Sequence, residues 1–351
     1  MIKGKILVFN ISIDSSDTSL GFAISWLNKF SEFYEEIDVV TLHLGDTSNL
    51  NNNVNIHSVI SKNSNKFVKF FQLRKIIKEL VNSNDYKFCF SHMSALLILI
   101  GFTISNFREI RRFLWYTHKG PNTLVKKLLL YLGTKSTNHI LTASKSSFPL
   151  KNEKVVSIGH AIDYKNFYTN RDGLNSRNFL IISRISKSKN IDSSIQGFLD
   201  SDCGKSQKIL IIGGALTSED RKYEKYLKEK YNHLENVKFQ GPVQHSELIK
   251  FIENADFHIN NTPIGFYDKS VLETLASGII NFYQNSAYDK NIHNKAVDYL
   301  KFNGTSGDLS RKINLISNLE SDKLIKFIKF SQKKVKDESL ETLHERIINT
   351  I

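Results

Sequence analysis

Residues 179–199, FLIISRISKSKNIDSSIQGFL, decide how the rest of the chain reads. The run 179–183 is short, apolar and rich in branched residues, as a strand buried on both faces requires. After it, Ile191, Ile195 and Phe198 recur at helical spacing, and the basic loop RISKSKN joins the two. Strand, loop and helix in that order are the repeating unit of a parallel sheet wrapped by crossover helices.

Outward from this unit the same alternation continues in both directions. Strands are expected at 6–13, 37–44, 54–59, 86–91, 113–118, 140–143 and 155–158, then at 209–212, 237–240, 257–260 and 279–283. Helices are expected between them, for example at 19–33 and 67–81. The tail 321–351 has helical period, with Leu324, Ile325, Phe327, Ile328, Leu340, Leu343 and Ile347 facing inward. The stretch 168–178, YTNRDGLNSRN, has no period and interrupts the pattern. The expectation is an α/β protein of two Rossmann-like, doubly wound parallel-sheet domains facing across a cleft. They cover 1–168 and 178–335, with a helix at 336–351 returning towards the first. A length of 351 residues suits two such domains.

Composition narrows the class. With 40% hydrophobic and 24% charged residues the chain is globular, and two cysteines, 17 glycines and four prolines exclude a disulfide-stapled scaffold. A reducing, cytoplasmic compartment is expected. The longest apolar run, at 95–103, is about half of the roughly 20 residues that span a bilayer. The net charge of +13 is local: residues 61–154 hold 17 Lys and Arg against four Asp and Glu, and the remainder balances. Such a stretch fits either an unselected basic surface or a face that meets anions.

Chemistry is sought at the strand ends, because open α/β sheets bind ligands outside the carboxyl ends of their strands. Arg184 and Lys189 lie between a strand and the next helix N-terminus, where backbone N–H groups already favour an anion. They read as a diphosphate clamp or as a solvated basic loop. In NNTPIGFYDKSVLETLASGI, 261–280, Asp268 is placed to cap a helix. Glu273 is an acid inside a small, apolar helix and is expected to face a polar ligand.

Together these segments resemble glycosyltransferase family 4, the retaining nucleotide-sugar enzymes of the GT-B fold. GHAID with Phe167 (159–167), RISKSK, ILIIGG (209–214) and VKFQG (237–241) with Leu248, Ala255 and Asp256 match its segments in order, as does VLETLASG (271–278). The resemblance implies that Arg184 and Lys189 hold the donor diphosphate, and that Glu273 accepts hydrogen bonds from the ribose. It further implies that Gly241 and Pro242 border the base and that Gly213 forms the turn after its strand. Gly265, Phe266, Asp268, Lys269, Val271 and Leu272 would complete the donor site, with His118 near the transferred sugar. The expected donor is a UDP- or GDP-linked sugar and the expected acceptor a glycan or lipid-linked glycan. Neither a metal nor a separate cofactor is expected, since no histidines have ligand spacing and Asp14 with Asp17 reads as a loop pair.

Two positions depart from the family pattern. Its first glutamate falls on Gly265, so Asp268 and Lys269 stand in for that contact or the chain is a silent member that binds a nucleotide sugar or a partner transferase. The amino-terminal glycine-rich loop is replaced by SIDSSDTSLGF, which retains Gly21 and offers Ser15, Ser16 and Thr18. Along 67–81, Phe67, Phe70, Phe71, Ile77, Leu80 and Val81 form an apolar stripe expected to face the core. Lys66, Lys69, Arg74, Lys75 and Lys78 share that helix, and Arg108, Arg111, Arg112, Lys119, Lys126 and Lys127 continue the charge. An anionic membrane surface at the inner face of the cytoplasmic membrane, or a lipid-diphosphate-linked acceptor, is the expected partner of residues 61–154. Nucleic acid is not expected, because no recognition motif accompanies the charge.

Overall fold

The structure, a computed structural model, describes residues 2–17, 20–59, 65–118, 120–121 and 123–350. Thr18, Ser19, Lys119 and residues 60–64 of the basic stretch lie outside the described residues, as does the side chain of Lys66.

The chain forms two compact units, Met1–Ala161 with Leu340–Ile351 and Ile162–Ser339. Unit 1 contains β1 (Ile2–Ile13), β2 (Tyr34–Leu44), β3 (Val54–Ser58), β4 (Tyr86–His92), β5 (Arg112–Trp115), β6 (His139–Thr142) and β7 (Val155–Ser157). They form one sheet in the order β3-β2-β1-β4-β5-β6-β7, with every pair parallel. Unit 2 contains β8 (Phe179–Ile182), β9 (Ile209–Ile212), β10 (Val237–Gly241), β11 (Phe257–Asn260) and β12 (Ile280–Tyr283), also all parallel, in the order β10-β9-β8-β11-β12. Each expected strand is present, and the central ones, such as β8 and β9, are the unbroken apolar runs that a parallel strand buried on both faces needs.

In unit 1 the crossovers from β3 to β4, β4 to β5 and β5 to β6 all step the same way across the sheet. Right-handed connections therefore place their helices, Lys66–Ser83, Ala95–Phe102 and Leu124–Lys135, on one face. Ala95–Phe102 packs against both of the others. In Lys66–Ser83 the expected inward stripe holds in four of its six residues: Ile77 and Val81 are buried with Leu73, and Phe70 and Leu80 pack against the same core, whereas Phe67 and Phe71 are exposed.

The tail is two helices, Ser321–Val335 and Leu340–Ile348, broken by a 3-10 turn at Lys336–Glu338. Of its expected inward residues only Ile325 is not buried. Leu340–Ile348 belongs to unit 1, where His344 stacks on Phe33 with ring centroids 4.2 Å apart and hydrogen-bonds to the Tyr34 hydroxyl at 2.7 Å.

The stretch 168–178 is not a free linker, and the divide falls at 161/162. Arg171 forms a buried ion pair of 2.7 Å with Asp256, and the same carboxylate accepts the N–H groups of Asn175, Ser176 and Arg177 at 2.9, 2.7 and 2.7 Å. A turn-rich sequence can thus be fixed by one buried acid that satisfies its backbone. No helix among the described residues is long and apolar enough to cross a membrane.

Candidate functional site

In unit 2 the connection direction reverses between β8 and β11, so the loops leaving those adjacent strands diverge and open a crevice at their carboxyl ends. The loop after β8 carries Arg184 and Lys189 and ends at Asn190. Asn190 takes the left-handed conformation, φ 47°, and is followed by helix Ile191–Leu199. The loop after β11 carries residues 261–268 and leads into helix Lys269–Ala276.

Lys189 and Asp268 bridge the crevice. The ammonium donates to both carboxylate oxygens at 2.7 Å and lies 4.9 Å from the centroid of the Phe266 ring. Asp268 also accepts from the Thr262 hydroxyl at 2.9 Å and the Asn260 amide at 3.0 Å, and its own N–H donates to the Tyr288 hydroxyl at 2.5 Å. Burial alone would raise the Asp268 pKa. The Lys189 charge and these donors outweigh it and bring the value to about 2. Asp268 stands at the helix N-cap as expected, but its side chain makes no capping bond, because the carboxylate is turned to Lys189. Lys189 is therefore an internal strut.

Arg184 takes no part in this bridge. Its Nε has no hydrogen-bond partner although the atom is buried, and the nearest carboxylate, Asp220, is 4.0 Å away. Asp220 is itself engaged in a reciprocal cap with Thr217 at the start of helix Ser218–Tyr231. Four more buried polar atoms without partners lie at the ends of the same three strands: Ser183 Oγ after β8, Asn260 Oδ1 and Asn261 Oδ1 at β11, and Gln284 Oε1 after β12. Buried polar atoms are nearly always paired, and five of the unpaired ones gather at the carboxyl ends of β8, β11 and β12.

Glu273 is buried in helix Lys269–Ala276, and its Oε1 is 2.7 Å from Nε2 of His245. The carboxylate raises the His245 pKa, with burial acting against it. His245 was not singled out from sequence; it is 28 positions from Glu273 and no local pattern connects the two. Lys269, half-buried beside them, has its pKa lowered to about 7 by burial, with Glu273 acting in the opposite sense.

The glycines hold the frame. Gly213 has φ 135°, and a Cβ there would stand 1.9 Å from the Ser183 carbonyl oxygen, so β8 and the turn after β9 meet only because that position is glycine. Gly213 N–H donates to the Gly241 carbonyl at 3.0 Å, and Pro242 follows beside Gly214. Gly265 has φ 103°, a conformation that a glutamate would adopt only with strain.

Val271 and Leu272 are fully buried, and every residue of their helix from 271 to 276 is buried. In unit 1, β5 ends at Trp115, so His118 is not at the strand end but on the exposed loop beyond it, where its N–H donates to the Ser147 carbonyl at 2.8 Å. Ser16 and Ser15 cap the carboxylates of Asp14 and Asp46, and Gly21 N–H closes a turn on the Asp17 carbonyl.

Residues 165–334 match the family model described as glycosyl transferases group 1. No curated protein matches the sequence. Among solved structures, Anabaena Alr3699/HepE in complex with UDP superposes with a TM-score of 0.75 at 15% identity, covering 99% of each chain. Sucrose-phosphate synthase from Thermosynechococcus elongatus has a TM-score of 0.73 at 12% identity, covering 99% of this chain and 98% of that one. A glycosyltransferase from Rickettsia africae ESF-5 has a TM-score of 0.72 at 13% identity, with coverage of 99% and 98%. Two parallel-sheet α/β units in this order are the GT-B fold, and the segment that matches the group 1 transferase model, 165–334, contains the whole β8–β11 crevice.

Proposed function

We propose that this chain is a glycosyltransferase of the family 4 kind, which moves a sugar from a nucleoside-diphosphate sugar to a glycan or lipid-linked acceptor with retention of configuration. The reading rests above all on the row of orphaned buried polar atoms at the β8–β11 switch point, with the Arg184 guanidinium among them. A diphosphate there would meet Arg184 and the N-terminus of helix Ile191–Leu199, both of which stabilise charge as it develops on a leaving phosphate. The ribose would bond to Glu273, whose carboxylate also meets His245 at 2.7 Å. The leaving phosphate would take the acceptor proton, so no metal is called on. UDP is the favoured nucleotide, since the Anabaena protein was crystallised with it.

Calorimetric titration with UDP and GDP tests the site. Arg184→Ala and Glu273→Ala should each weaken UDP binding by about tenfold, about 1.4 kcal/mol, as loss of a charged hydrogen bond does. Unchanged affinity in both variants would refute the assignment. Slow hydrolysis of UDP-sugars that survives EDTA supports metal-independent transfer, whereas nucleotide binding without any turnover supports the silent reading, in keeping with a glycine at 265 where the family pattern has a glutamate.

A further inference from the structure

The loop 261–268, one wall of the β8–β11 crevice, is held by more than its own strand. Its last three residues all meet the segment that follows β12. The Phe266 carbonyl accepts from the buried Asn285 amide, and the Asp268 N–H donates to the Tyr288 hydroxyl at 2.5 Å. Between them Tyr267 stacks on Tyr288, with ring centroids 4.7 Å apart and planes 16° from parallel, and both rings are buried. The Tyr267 hydroxyl donates to Oε1 of Glu338 at 2.7 Å. Burial, with the Glu338 charge adding to it, pushes the Tyr267 phenol well above its usual range, so the hydroxyl stays a donor.

Glu338 is a buried acid outside the crevice. It is 5% exposed, and its Oε1 also meets the Lys290 ammonium at 2.7 Å and the Asn291 amide at 3.3 Å. A buried carboxylate is costly unless charge and hydrogen bonds compensate, and an apolar side chain would fill the same space without that cost. What the acid adds is a directional, charge-assisted bond to the loop. Its place in the chain gives that bond a second end. Glu338 closes the turn Lys336–Glu338 one residue before unit 2 ends, and its carbonyl accepts the N–H of Ile162, the first residue of the unit, at 3.0 Å. Ile162 and Ser339 also form a parallel bridge. A displacement of the turn therefore moves Tyr267 and both ends of unit 2 together. We infer that Glu338 is a positioning residue for the crevice: through Tyr267 it ties the 261–268 loop to the first and last residues of unit 2, so that a nucleotide in the crevice and order at Ile162 and Ser339 favour each other. Such coupling is reciprocal. The inference rests on the reading of the crevice as a nucleotide site and extends it to the ends of the unit.

Hydrogen exchange of the full chain tests it at the Ile162 and Ser339 amides. Both are hydrogen-bonded, Ile162 to Glu338 and Ser339 to the Lys336 carbonyl at 3.2 Å. Tyr267→Phe keeps the ring stack and removes the donor. Without nucleotide it should speed exchange at both amides by at least about fivefold, as should Glu338→Ala, while Glu338→Gln, which retains a carbonyl acceptor, recovers most of the protection. UDP should slow exchange at both amides in the wild type but not in Tyr267→Phe, and UDP affinity in that variant should be about fivefold lower. Exchange in β8 and β9 should stay at the wild-type rate, which separates a released loop from a loosened unit. Wild-type exchange at Ile162 and Ser339 in Tyr267→Phe, or a rise spread evenly over unit 2, would overturn the inference. So would UDP that binds the wild type without slowing exchange at those amides. A wild type that binds no UDP refutes the nucleotide reading instead, and the comparison without nucleotide still decides whether Glu338 links the loop to the ends of the unit.

Discussion

The bridge between Lys189 and Asp268 makes the most direct test of the structure, because it separates a strut from a ligand clamp. The Asp268 pKa falls from 3.8 to about 2, a depression of nearly two units. At about 1.4 kcal/mol per unit, the ionised carboxylate contributes about 2.5 kcal/mol to folding at neutral pH, net of its own burial. The folded pKa lies below the unfolded one, so this contribution is complete above about pH 4 and is lost as pH falls through about 2. Asp268→Asn removes the charge but keeps the shape and should destabilise unit 2 by about 2 to 3 kcal/mol. Lys189→Ala leaves a buried carboxylate without its main counter-charge and should destabilise it by about 3 kcal/mol or more.

The two changes act on one interaction, so the double variant should be less destabilised than the sum of the singles by at least about 1.5 kcal/mol. Urea unfolding of the full chain, with hydrogen exchange followed at β8 and β11 so that unit 2 is read by itself, measures all three. The acid limb between pH 4 and 2 should flatten in Asp268→Asn. Additive effects, or an unchanged acid limb, would refute the strut. A diphosphate clamp that used Lys189 directly gives a different pattern: Lys189→Ala would lower UDP affinity while leaving stability near that of the parent.

Two further predictions concern protons. His258 is fully buried between Asn281 Oδ1 at 2.6 Å and the Ile182 N–H at 3.4 Å, and burial lowers its pKa to about 4. Its folded pKa lies below the unfolded 6.5, so stability should fall between about pH 6.5 and 4, by up to about 3 kcal/mol, and His258→Gln should flatten that limb in urea titrations; an unaltered limb refutes it. Lys269, with its pKa near 7, should take up a proton when a diphosphate binds beside the start of its helix. UDP affinity should then fall by up to about tenfold per pH unit above 7, and calorimetry in buffers of different ionisation heat should show proton uptake in the wild type and none in Lys269→Met.

The fold was legible because it depends on local pattern. FLII and ILII are unbroken apolar runs at the centre of a parallel sheet, FHIN and the edge strand INFY are apolar enough to read the same way, and each is a strand. The site was legible only in part. Arg184, Lys189, Asp268 and Glu273 are near the crevice because strand ends place them there, but their pairing is not written locally. Lys189 meets Asp268 across 79 positions, and Glu273 meets His245 across 28. Burial of Val271 and Leu272 was hidden for another reason: all of VLETLASG is buried, with Glu273, Thr274 and Ser277 included, and no local pattern marks a helix covered on every side. The Phe67 and Phe71 positions failed because periodicity names a stripe without saying where along the helix the neighbouring element stops covering it.

The loop 261–268 also bears on how charge is arranged for catalysis under the proposed reading. The position where the family pattern has a carboxylate is Gly265, held at φ 103°, and the nearest carboxylate in the loop, Asp268, is closed onto Lys189. One negative group near the donor sugar and one positive group near the diphosphate are thus removed together, which keeps the local balance while fixing the two loops to each other. Arg184 stays outside that bridge, and fixed positive potential comes from the N-termini of helices Ile191–Leu199 and Lys269–Ala276. Dipoles already oriented by the fold need no reorganisation when the glycosidic bond breaks, whereas a free lysine would have to be ordered at that moment. A site that converts one of its cations into a strut therefore trades a movable charge for alignment of the two helix termini on which a leaving diphosphate depends.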